Sequence, residues 1–304
     1  MGLIGGSVAL ALKKNSVLAS KAGFSTYIVG VGRSTSCLKH ALKSGVIDDY
    51  FDVLETIECA ETNGLSKSSL AHTISIANII LIAAPVAQTA SILQTIKPYL
   101  NIQTVITDAG STKSDVLSCA QLILGCQYNQ FVGGHPIAGA EKSGVTAATS
   151  SLFESKNVVL TPAAETSKDA IALVTALWQA CGARVSQMAA KTHDDIFAAV
   201  SHLPHLLAFA LVNDIAGRPN AAQLFSFAAS GFRDFTRIAG SHPEMWRDIS
   251  LANKTALLSE LSAYQLELNN LQILLENEDG QGLQALFNRA SVARNNWAIA
   301  NNLN

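Results

Sequence analysis

The sequence is poor in charge and contains no run of like charges. Only 14% of its 304 residues are charged, and 21 basic against 23 acidic side chains give a formal net charge of −2. The lack of a basic cluster argues against a nucleic-acid interface and against binding to a membrane surface. A small-molecule partner is therefore favoured.

Two further absences concern metals and membranes. The five cysteines form no C-x-x-C pair and are odd in number, so neither a zinc site nor a disulfide framework is predicted. No apolar run reaches the roughly 18 residues that span a bilayer, and the amino terminus lacks the features of a signal peptide. We expect a cytoplasmic protein with reduced thiols, no metal and no membrane partner.

The chain begins with a glycine-rich turn that no strand precedes. In "MGLIGGS", Gly2 and Gly5 fit the last two glycines of G-x-G-x-x-G, Gly6 follows them, and the first glycine is missing. Such a turn brings the pyrophosphate of a dinucleotide to the N-terminus of a helix. The pattern is therefore half of a dinucleotide-binding fingerprint.

Apolar strands alternate with helices through the first part of the chain. The strand candidates cover residues 25–33, 76–85, 104–111, 130–136, 156–162 and 183–188. This alternation predicts an α/β fold with a doubly wound parallel sheet. Only helical patterns come after these strands, so we predict a dinucleotide-binding domain at 1–188 and an all-helical domain at 189–304.

One long helix of the second domain carries an apolar stripe. Its residues have a 4, 3, 4, 3, 4 spacing: Leu257, Leu261, Tyr264, Leu268, Leu271 and Leu275. A stripe of this kind lines one face of a helix, as in a coiled coil. Packing within the chain and a dimer interface both explain it.

Two loops that come directly after strands carry candidate catalytic residues. In "TDAGSTK", Ser111 either donates a hydrogen bond to a ligand or caps the next helix. In "GGHPIAGAEKSG", Pro136 holds His135 out of the helical region, and a histidine so placed is a candidate general base.

The helical domain contributes two polar clusters. Ser201, His202 and His205 share one face of an apolar helix that Pro204 should kink, and they form either a buried polar site or, with less support, a metal pair. In "GFRDFTRIAGSHPEMWRD", arginines lie among acidic residues. This cluster either binds a carboxylate or forms solvated salt bridges.

Taken together and in order, "GLIGGS", "DAGSTK", "GGHPIAGAEKSG", "SHLPH" and "GFRDFTRIAGSHPEMW" resemble the prephenate/arogenate (cyclohexadienyl) dehydrogenases of tyrosine biosynthesis. The resemblance implies oxidative decarboxylation of prephenate or arogenate, between which the motifs do not choose, and a helical domain that forms a homodimer. It also implies that His135 accepts the substrate hydroxyl proton and that Ser111 holds both His135 and the nicotinamide.

The same resemblance implies a substrate site and a cofactor site. Arg237 would bind a substrate carboxylate, Glu141 and Asp234 would pair with it, and the remaining substrate residues would be Ser201, His202, His205 and Trp246. The cofactor would contact Gly2, Leu3, Ile4, Gly5, Arg33, Ser34, Pro85 and Ser111. Because "GVGRSTS" has Arg33 and serines where an NAD enzyme usually has an acidic residue, NADP is favoured, with NAD as the second option.

Two other functions remain open from the residues. A β-hydroxyacid dehydrogenase of the same architecture would use a helix lysine as its acid and base, whereas the best-placed proton acceptor here is His135. A non-catalytic dinucleotide-binding protein is the other alternative, because the chain has no strand before its first glycine.

We expect this chain to bind a nicotinamide cofactor weakly. The resembling family has a central strand and a first glycine before the position of Gly2, which suggests a shortened form whose neighbouring strands expose backbone groups. Titration of the 304-residue chain with NAD and NADP measures this affinity. Tight binding of either cofactor would contradict the expectation.

Overall fold

The computed structural model of the chain describes residues 1–19, 26–53, 69–139 and 144–300. Contacts divide the chain into two compact units, Met1–Lys254 and Thr255–Asn304. The last described strand ends at Gln187, and the regular elements described beyond it are helices. The predicted domain border after residue 188 stays a prediction.

Strands and helices alternate in the first part of the chain. They run in the order α1 (Leu3–Ala19), β1 (Val29–Gly32), α2 (Thr35–Lys43), β2 (Asp49–Asp52), α3 (Leu70–Ile76), β3 (Ile79–Ile82), α4 (Thr89–Ile96), β4 (Val105–Asp108), α5 (Ser114–Leu124), β5 (Phe131–Pro136), β6 (Asn157–Thr161), α6 (Lys168–Ala180) and β7 (Arg184–Gln187).

Local chemistry explains several of these boundaries. Ser34, Ser69 and Ser167 precede α2, α3 and α6, and each accepts a hydrogen bond from the backbone N–H three residues on.

Strand β2 is missing from the predicted elements, because its sequence, DYFD, lacks the apolar character of the other strands.

Within the described residues, the strands form a two-stranded sheet, β1–β2, and a five-stranded sheet in the order β3-β4-β5-β6-β7. The predicted α/β fold with a parallel sheet is confirmed, and within the five-stranded sheet β5 and β6 are the pair that runs antiparallel. A parallel pair needs a crossover, usually a helix. Between β5 and β6, the described residues form only a short 3-10 helix, Val145–Ala147.

Helix α1 begins between the carboxyl ends of β1 and β3. A Cβ atom on Gly32 at the end of β1 would lie 2.7 Å from the Met1 backbone nitrogen. A Cβ atom on Gly5 would lie 3.5 Å from the Ala83 Cβ, just after β3. Strands β1 and β3 belong to separate sheets among the described residues, and the start of α1 lies close to the end of each strand.

The main apolar core lies between the five-stranded sheet and two helices. Val8 of α1 is buried in one cluster with Val132 of β5, Leu160 of β6 and Trp178 of α6. The ring of Trp178 meets the ring of Phe153 edge to face, with centroids 5.2 Å apart. Burial of large side chains like these stabilises the fold by about 1.5–3 kcal/mol each and fixes α1 against the sheet.

The helical part comprises α7 (Ala190–Phe197), a π-helical turn (Ala198–His202), α8 (Leu203–Ala216), α9 (Ala221–Ser226), α10 (Ser230–Thr236), α11 (Pro243–Ala252), α12 (Lys254–Glu276) and α13 (Gly280–Ala300). Pro204 lies inside the continuous helical stretch Ala190–Ala216, directly after the π-helical turn. The kink predicted at this proline stays a prediction.

The helical stretch Ala190–Ala216 is long and apolar enough to cross a membrane, by length and composition alone. It carries His193 and Asp194, which are buried and hydrogen-bonded to residues outside the helix or to each other. Core helices of globular proteins pass the same composition test. These contacts hold the first turn of the stretch against β5 and the start of α5, and the expected absence of a membrane partner stays a prediction.

The stripe on α12 is largely exposed in the single chain. Leu257 is buried, whereas Leu268 and Leu275 are 46% and 63% exposed. On α13, Phe287 and Trp297 are also exposed. Packing within the chain therefore accounts for the first residue of the stripe and leaves these later apolar residues without an explanation inside the monomer.

Candidate active site

His135 lies at the end of β5, the strand in the middle of the five-stranded sheet. Gly134 precedes it, and a Cβ atom there would lie 2.7 Å from the Asp108 carbonyl oxygen, so only glycine lets β5 approach β4 so closely. Pro136 ends the strand. The backbone on both sides of His135 is thus constrained, as the GGHP pattern predicts.

Helix α7 supplies the partners of the His135 ring. His135 Nδ1 lies 2.8 Å from His193 Nε2, at hydrogen-bond distance. The Phe197 ring lies against both imidazoles, with centroids 4.9 Å from His135 and 4.5 Å from His193. The candidate general base is therefore held between the sheet and α7.

The Asp194 carboxylate continues this contact. Its Oδ1 lies 2.8 Å from His193 Nδ1 and accepts a hydrogen bond from the Lys113 backbone N–H at 2.9 Å. Its Oδ2 accepts one from the Ser114 N–H at 2.8 Å. Burial would raise the pKa of Asp194, but the hydrogen bonds from His193, Ser114 and Lys113 outweigh it and lower that pKa to about 2.

The position of Asp194 shows whether Ser111 caps helix α5. Helix α5 begins at Ser114, its N-cap residue is Lys113, and no side chain of the N-cap residue closes the helix end. The N–H groups of Lys113 and Ser114 instead donate to Asp194. The interpretation of Ser111 as the helix cap is therefore wrong, and its interpretation as a ligand-binding residue stays a prediction.

A buried ion pair holds the loop between β4 and α5. Lys113 and Asp108 are both fully buried, and Lys113 Nζ donates to Asp108 Oδ2 and, at 2.8 Å, to the Gly134 carbonyl oxygen. Asp108 accepts in turn from the N–H groups of Gly134 at 3.0 Å and Gly110 at 2.8 Å. The pair therefore fixes the backbone next to His135.

The environment of His135 keeps its ring neutral at neutral pH. Burial lowers the pKa of His135 well below 6.5, and the neighbouring His193, Lys113 and His202 lower it further, while Asp194 opposes them. A neutral imidazole has a lone pair and can accept a proton. The ring is thus poised as a base.

A second polar cluster lies around Trp246 of α11. The His205 ring stacks on the indole with centroids 3.6 Å apart, and the His202 ring meets it edge to face at 6.1 Å. His205 Nδ1 lies 2.8 Å from the Ser201 carbonyl oxygen. The three residues predicted to share a face are thus close together, with Ser201 contributing its backbone to the contact.

Both histidines of this cluster are kept neutral. Burial lowers the pKa of His202 to about 4. Burial also lowers the pKa of His205, to which the positive charge of Arg237 adds. The effect of Arg237 on His205 indicates that these two predicted substrate residues lie near each other.

The remaining charges of the arginine cluster lie on the surface. Arg233 Nε donates to Asp234 at 3.1 Å, and Arg247 pairs with Glu244 and Asp248. For Arg233 and Arg247 the structure supports the interpretation as solvated salt bridges. Asp234, which was predicted to pair with Arg237, pairs with Arg233, and Glu141 lies outside the described residues.

The predicted cofactor residues lie at the start of α1 and after the carboxyl ends of three strands. They are Gly2, Leu3, Ile4 and Gly5 at the start of α1, Arg33 and Ser34 after β1, Pro85 after β3 and Ser111 after β4. A Cβ atom on Gly2 would meet no atom within 4 Å, so space is open there. The first N–H groups of a helix lack partners within it and favour an anion. This arrangement fits the pyrophosphate of a nucleotide.

Four residues of the His135 network are absent from the predicted site: Asp108, Lys113, His193 and Asp194. Asp108 and Lys113 carried a usable signal, because they flank the DAGSTK loop directly after an apolar strand. His193 and Asp194 carried none, since "KTHDDIF" has the polar composition of a solvated helix face. Among the described residues, no group of three or more metal-ligating side chains lies together.

The sequence matches two family models in succession. Residues 8–187 match the model described as "Prephenate dehydrogenase, nucleotide-binding domain", and residues 189–289 match "Prephenate dehydrogenase, dimerization domain". The prephenate dehydrogenase of Bacillus subtilis is 38% identical over 296 residues, which are 97% of this chain and 73% of the relative. The cyclohexadienyl dehydrogenase of Zymomonas mobilis is 34% identical over 220 residues, which are 72% and 74% of the two chains.

Solved structures are similar over nearly the whole chain. The prephenate dehydrogenase of Aquifex aeolicus in complex with hydroxyphenyl propionate and NAD+ superposes with a TM-score of 0.83 at 33% identity, covering 96% of this chain and 94% of that one. The arogenate dehydrogenase of Synechocystis superposes with a TM-score of 0.77 at 26% identity, covering 98% and 97%.

The buried ion pair yields a stability prediction. Substitution Lys113→Met leaves the Asp108 carboxylate buried without its counter-ion, and we expect the free energy of unfolding to fall by about 3–5 kcal/mol. Urea denaturation monitored by circular dichroism measures the change. The control is Lys191→Met, which removes an exposed pair with Asp195 and should cost less than about 1 kcal/mol. Equal small losses for both variants would contradict the prediction.

Proposed function

The chain belongs to the prephenate dehydrogenase family in both its nucleotide-binding and its dimerisation domain, and we propose that His135 is the base of the reaction that defines this family. The protein is a prephenate/cyclohexadienyl dehydrogenase, an NAD(P)-dependent oxidoreductase of tyrosine biosynthesis. The family match takes precedence over the two alternatives, a β-hydroxyacid dehydrogenase and a non-catalytic nucleotide-binding protein.

The observation that supports this role is the neutral, half-buried His135 ring at the carboxyl end of β5. A ring nitrogen accepts the proton of the substrate hydroxyl. The carbon that carries the hydroxyl becomes a carbonyl, the bond to the ring carboxylate then breaks, carbon dioxide leaves and the ring becomes aromatic. A bound nicotinamide would supply the acceptor for the hydride that leaves this carbon.

The helical part of the chain binds the carboxylate groups of the substrate. Arg237 presents a planar guanidinium that suits a carboxylate, and it lies near His205, whose ring stacks on Trp246. Ser201 and His202 complete this region. Ser111, in the loop that leads from β4 to α5, holds His135 and the nicotinamide in register.

The cofactor preference that we propose is for NADP. Arg33 comes directly after β1 and is exposed, and Ser34 and Ser36, whose hydroxyl oxygens lie 3.1 Å apart, flank the start of α2. A guanidinium and two hydroxyls at a helix N-terminus suit the 2′-phosphate of NADP. The Aquifex aeolicus relative was solved with NAD+, so NAD is the other cofactor to test.

The protein is proposed to act as a homodimer through its helical domain. Support comes from the match to a dimerisation domain and from the exposed apolar residues of α12 and α13, including Leu268 and Leu275. Apolar residues of this size at interfaces are typical of stable homodimers. A cytoplasmic location stays a prediction from the sequence.

Turnover tests the proposed chemistry. With prephenate or arogenate and either cofactor, reduced cofactor should appear, and His135→Asn should lower kcat by at least about 100-fold, the usual contribution of a positioned base. Arg237→Leu should raise KM for the substrate about tenfold or more with a smaller effect on kcat, because it removes a charge-assisted contact made before the chemical step.

The matched control for the arginine is Arg233→Leu, which removes an exposed pair with Asp234. We expect its KM and kcat to equal those of the unmodified protein. Absence of turnover with both substrates would reject the proposed reaction. An unchanged KM in Arg237→Leu would reject the substrate site.

Substitution Arg33→Asp tests the cofactor proposal. It replaces a cation that suits the 2′-phosphate by a carboxylate that suits a ribose hydroxyl, so kcat/KM with NADP should fall about tenfold or more relative to NAD. Lys39→Asp, on the exposed side of α2, makes the same change in charge and should leave the ratio unchanged. An unchanged ratio in Arg33→Asp would reject the role of Arg33.

The oligomeric state tests the dimer. Sedimentation should give twice the chain mass of 32.0 kDa, and Leu268→Glu should convert the dimer to a monomer by placing a charge in its apolar interface. Asn270→Glu adds the same charge to the opposite side of the helix and should leave the dimer intact. A monomeric unmodified chain would overturn this assembly.

A further inference from the structure

We propose that His193 and Asp194 are positioning residues that hold His135 as the tautomer with a proton on Nδ1 and a free lone pair on Nε2. The inference rests on the proposed role of His135 as the base. It goes beyond that role because it states which ring nitrogen takes the substrate proton and which side chains fix that choice. Neither residue was a candidate from the sequence.

The Asp194 carboxylate determines which atoms donate in the hydrogen bonds that connect Asp194, His193 and His135. Asp194 accepts from the backbone N–H groups of Lys113 and Ser114, and these donors cannot be reversed. They also keep the carboxyl group ionised, and an ionised carboxylate only accepts. The contact of 2.8 Å between Asp194 Oδ1 and His193 Nδ1 therefore requires the proton to be on His193 Nδ1.

The same reasoning passes along the next bond. The proposal takes the fully buried His193 as the uncharged ring. With its proton on Nδ1, that ring has an unprotonated Nε2, which can only accept. His135 Nδ1, 2.8 Å away, must then be the donor. With its single proton on Nδ1, neutral His135 has its lone pair on Nε2, and that atom is the one left to accept the hydroxyl proton.

The charges around His135 favour this arrangement during the reaction. The titratable groups that act on its ring are His193 and Asp194 of α7, His202 of the π turn and Lys113 before α5. The charge of Lys113 is already compensated by Asp108. When His135 becomes an imidazolium, Asp194 is therefore the uncompensated charge of opposite sign, and the His193 ring connects the two by hydrogen bonds.

Packing restricts the rings to this geometry. His193 is fully buried, and the rings of His135, His193 and Phe197 contact one another, with the two imidazoles at 64° and centroids 5.0 Å apart. Asn253 adds a further restraint, because its side-chain amide donates to the Asp194 carbonyl oxygen at 2.8 Å. The residues that set the tautomer are thus themselves held by neighbours.

Nitrogen-15 NMR spectra of histidine-labelled protein test the tautomer directly and without substrate. In the unmodified protein, His135 should show a protonated Nδ1 and an unprotonated Nε2, and His135→Asn assigns its signals among the seven histidines. In His193→Leu, His135 should shift toward the tautomer with the proton on Nε2. A protonated Nε2 in the unmodified neutral protein would overturn the proposal.

Kinetics test whether the tautomer matters. His193→Leu should lower kcat about tenfold or more with little change in KM for substrate or cofactor. His193→Gln should recover part of the loss, because its amide oxygen can replace Nε2 as the acceptor from His135. His72→Leu, on the exposed side of α3, is the control and should change neither quantity.

These outcomes separate the two proposals. An unmodified protein that turns over neither prephenate nor arogenate rejects the proposed function, and the NMR spectra still decide the tautomer. An active unmodified protein whose kcat is unchanged in His193→Leu rejects the positioning role alone. Equal kcat losses in the leucine and glutamine variants, with an unchanged His135 tautomer in both, would also reject it.

Discussion

The ionised carboxylate of Asp194 is the interaction on which the arrangement of the site depends. It lies near the start of a helix that comes after the sheet in sequence, and it binds the free N–H groups at the start of α5, about 80 residues earlier. A carboxylate at a helix N-terminus is favoured both by the hydrogen bonds and by the helix dipole. One side chain therefore attaches α7 to the start of α5 and, through His193, contacts His135.

A buried ion pair acts on the backbone next to the same histidine. Asp108 and Lys113 connect the end of β4 to the backbone of Gly134 by hydrogen bonds in both directions. Buried ion pairs contribute little net stability compared with apolar residues, but they lose much when one partner is removed. The pair is therefore better understood as a device that fixes the position of β5, while Asp194 fixes the ring that β5 carries.

The sequence analysis reached the elements whose signals are local. Apolar strands such as IILI and VITD, and the strand that ends in GGHP, are all found where expected. It failed where a distant residue decides. The cap of α5 comes from Asp194 rather than from Ser111. Strand β6 runs antiparallel to β5, and the described residues between them contain no α-helix. His193 contacts His135 only because α7 packs against β5. The proximity of His205 and Arg237 likewise depends on tertiary structure.

The π-helical turn at Ala198–His202 has a consequence for how the site tolerates change in length. A π turn accommodates one residue more than an α-helical turn does, and each residue added to a helix rotates the downstream part of that helix by about 100°. The turn therefore changes the direction in which His202 and His205 project from the helix axis, relative to His193 and Asp194 of the same continuous helix. Removing a single residue from it would restore regular helical phase and swing the downstream imidazoles away from Trp246, although no side chain of the site had been altered.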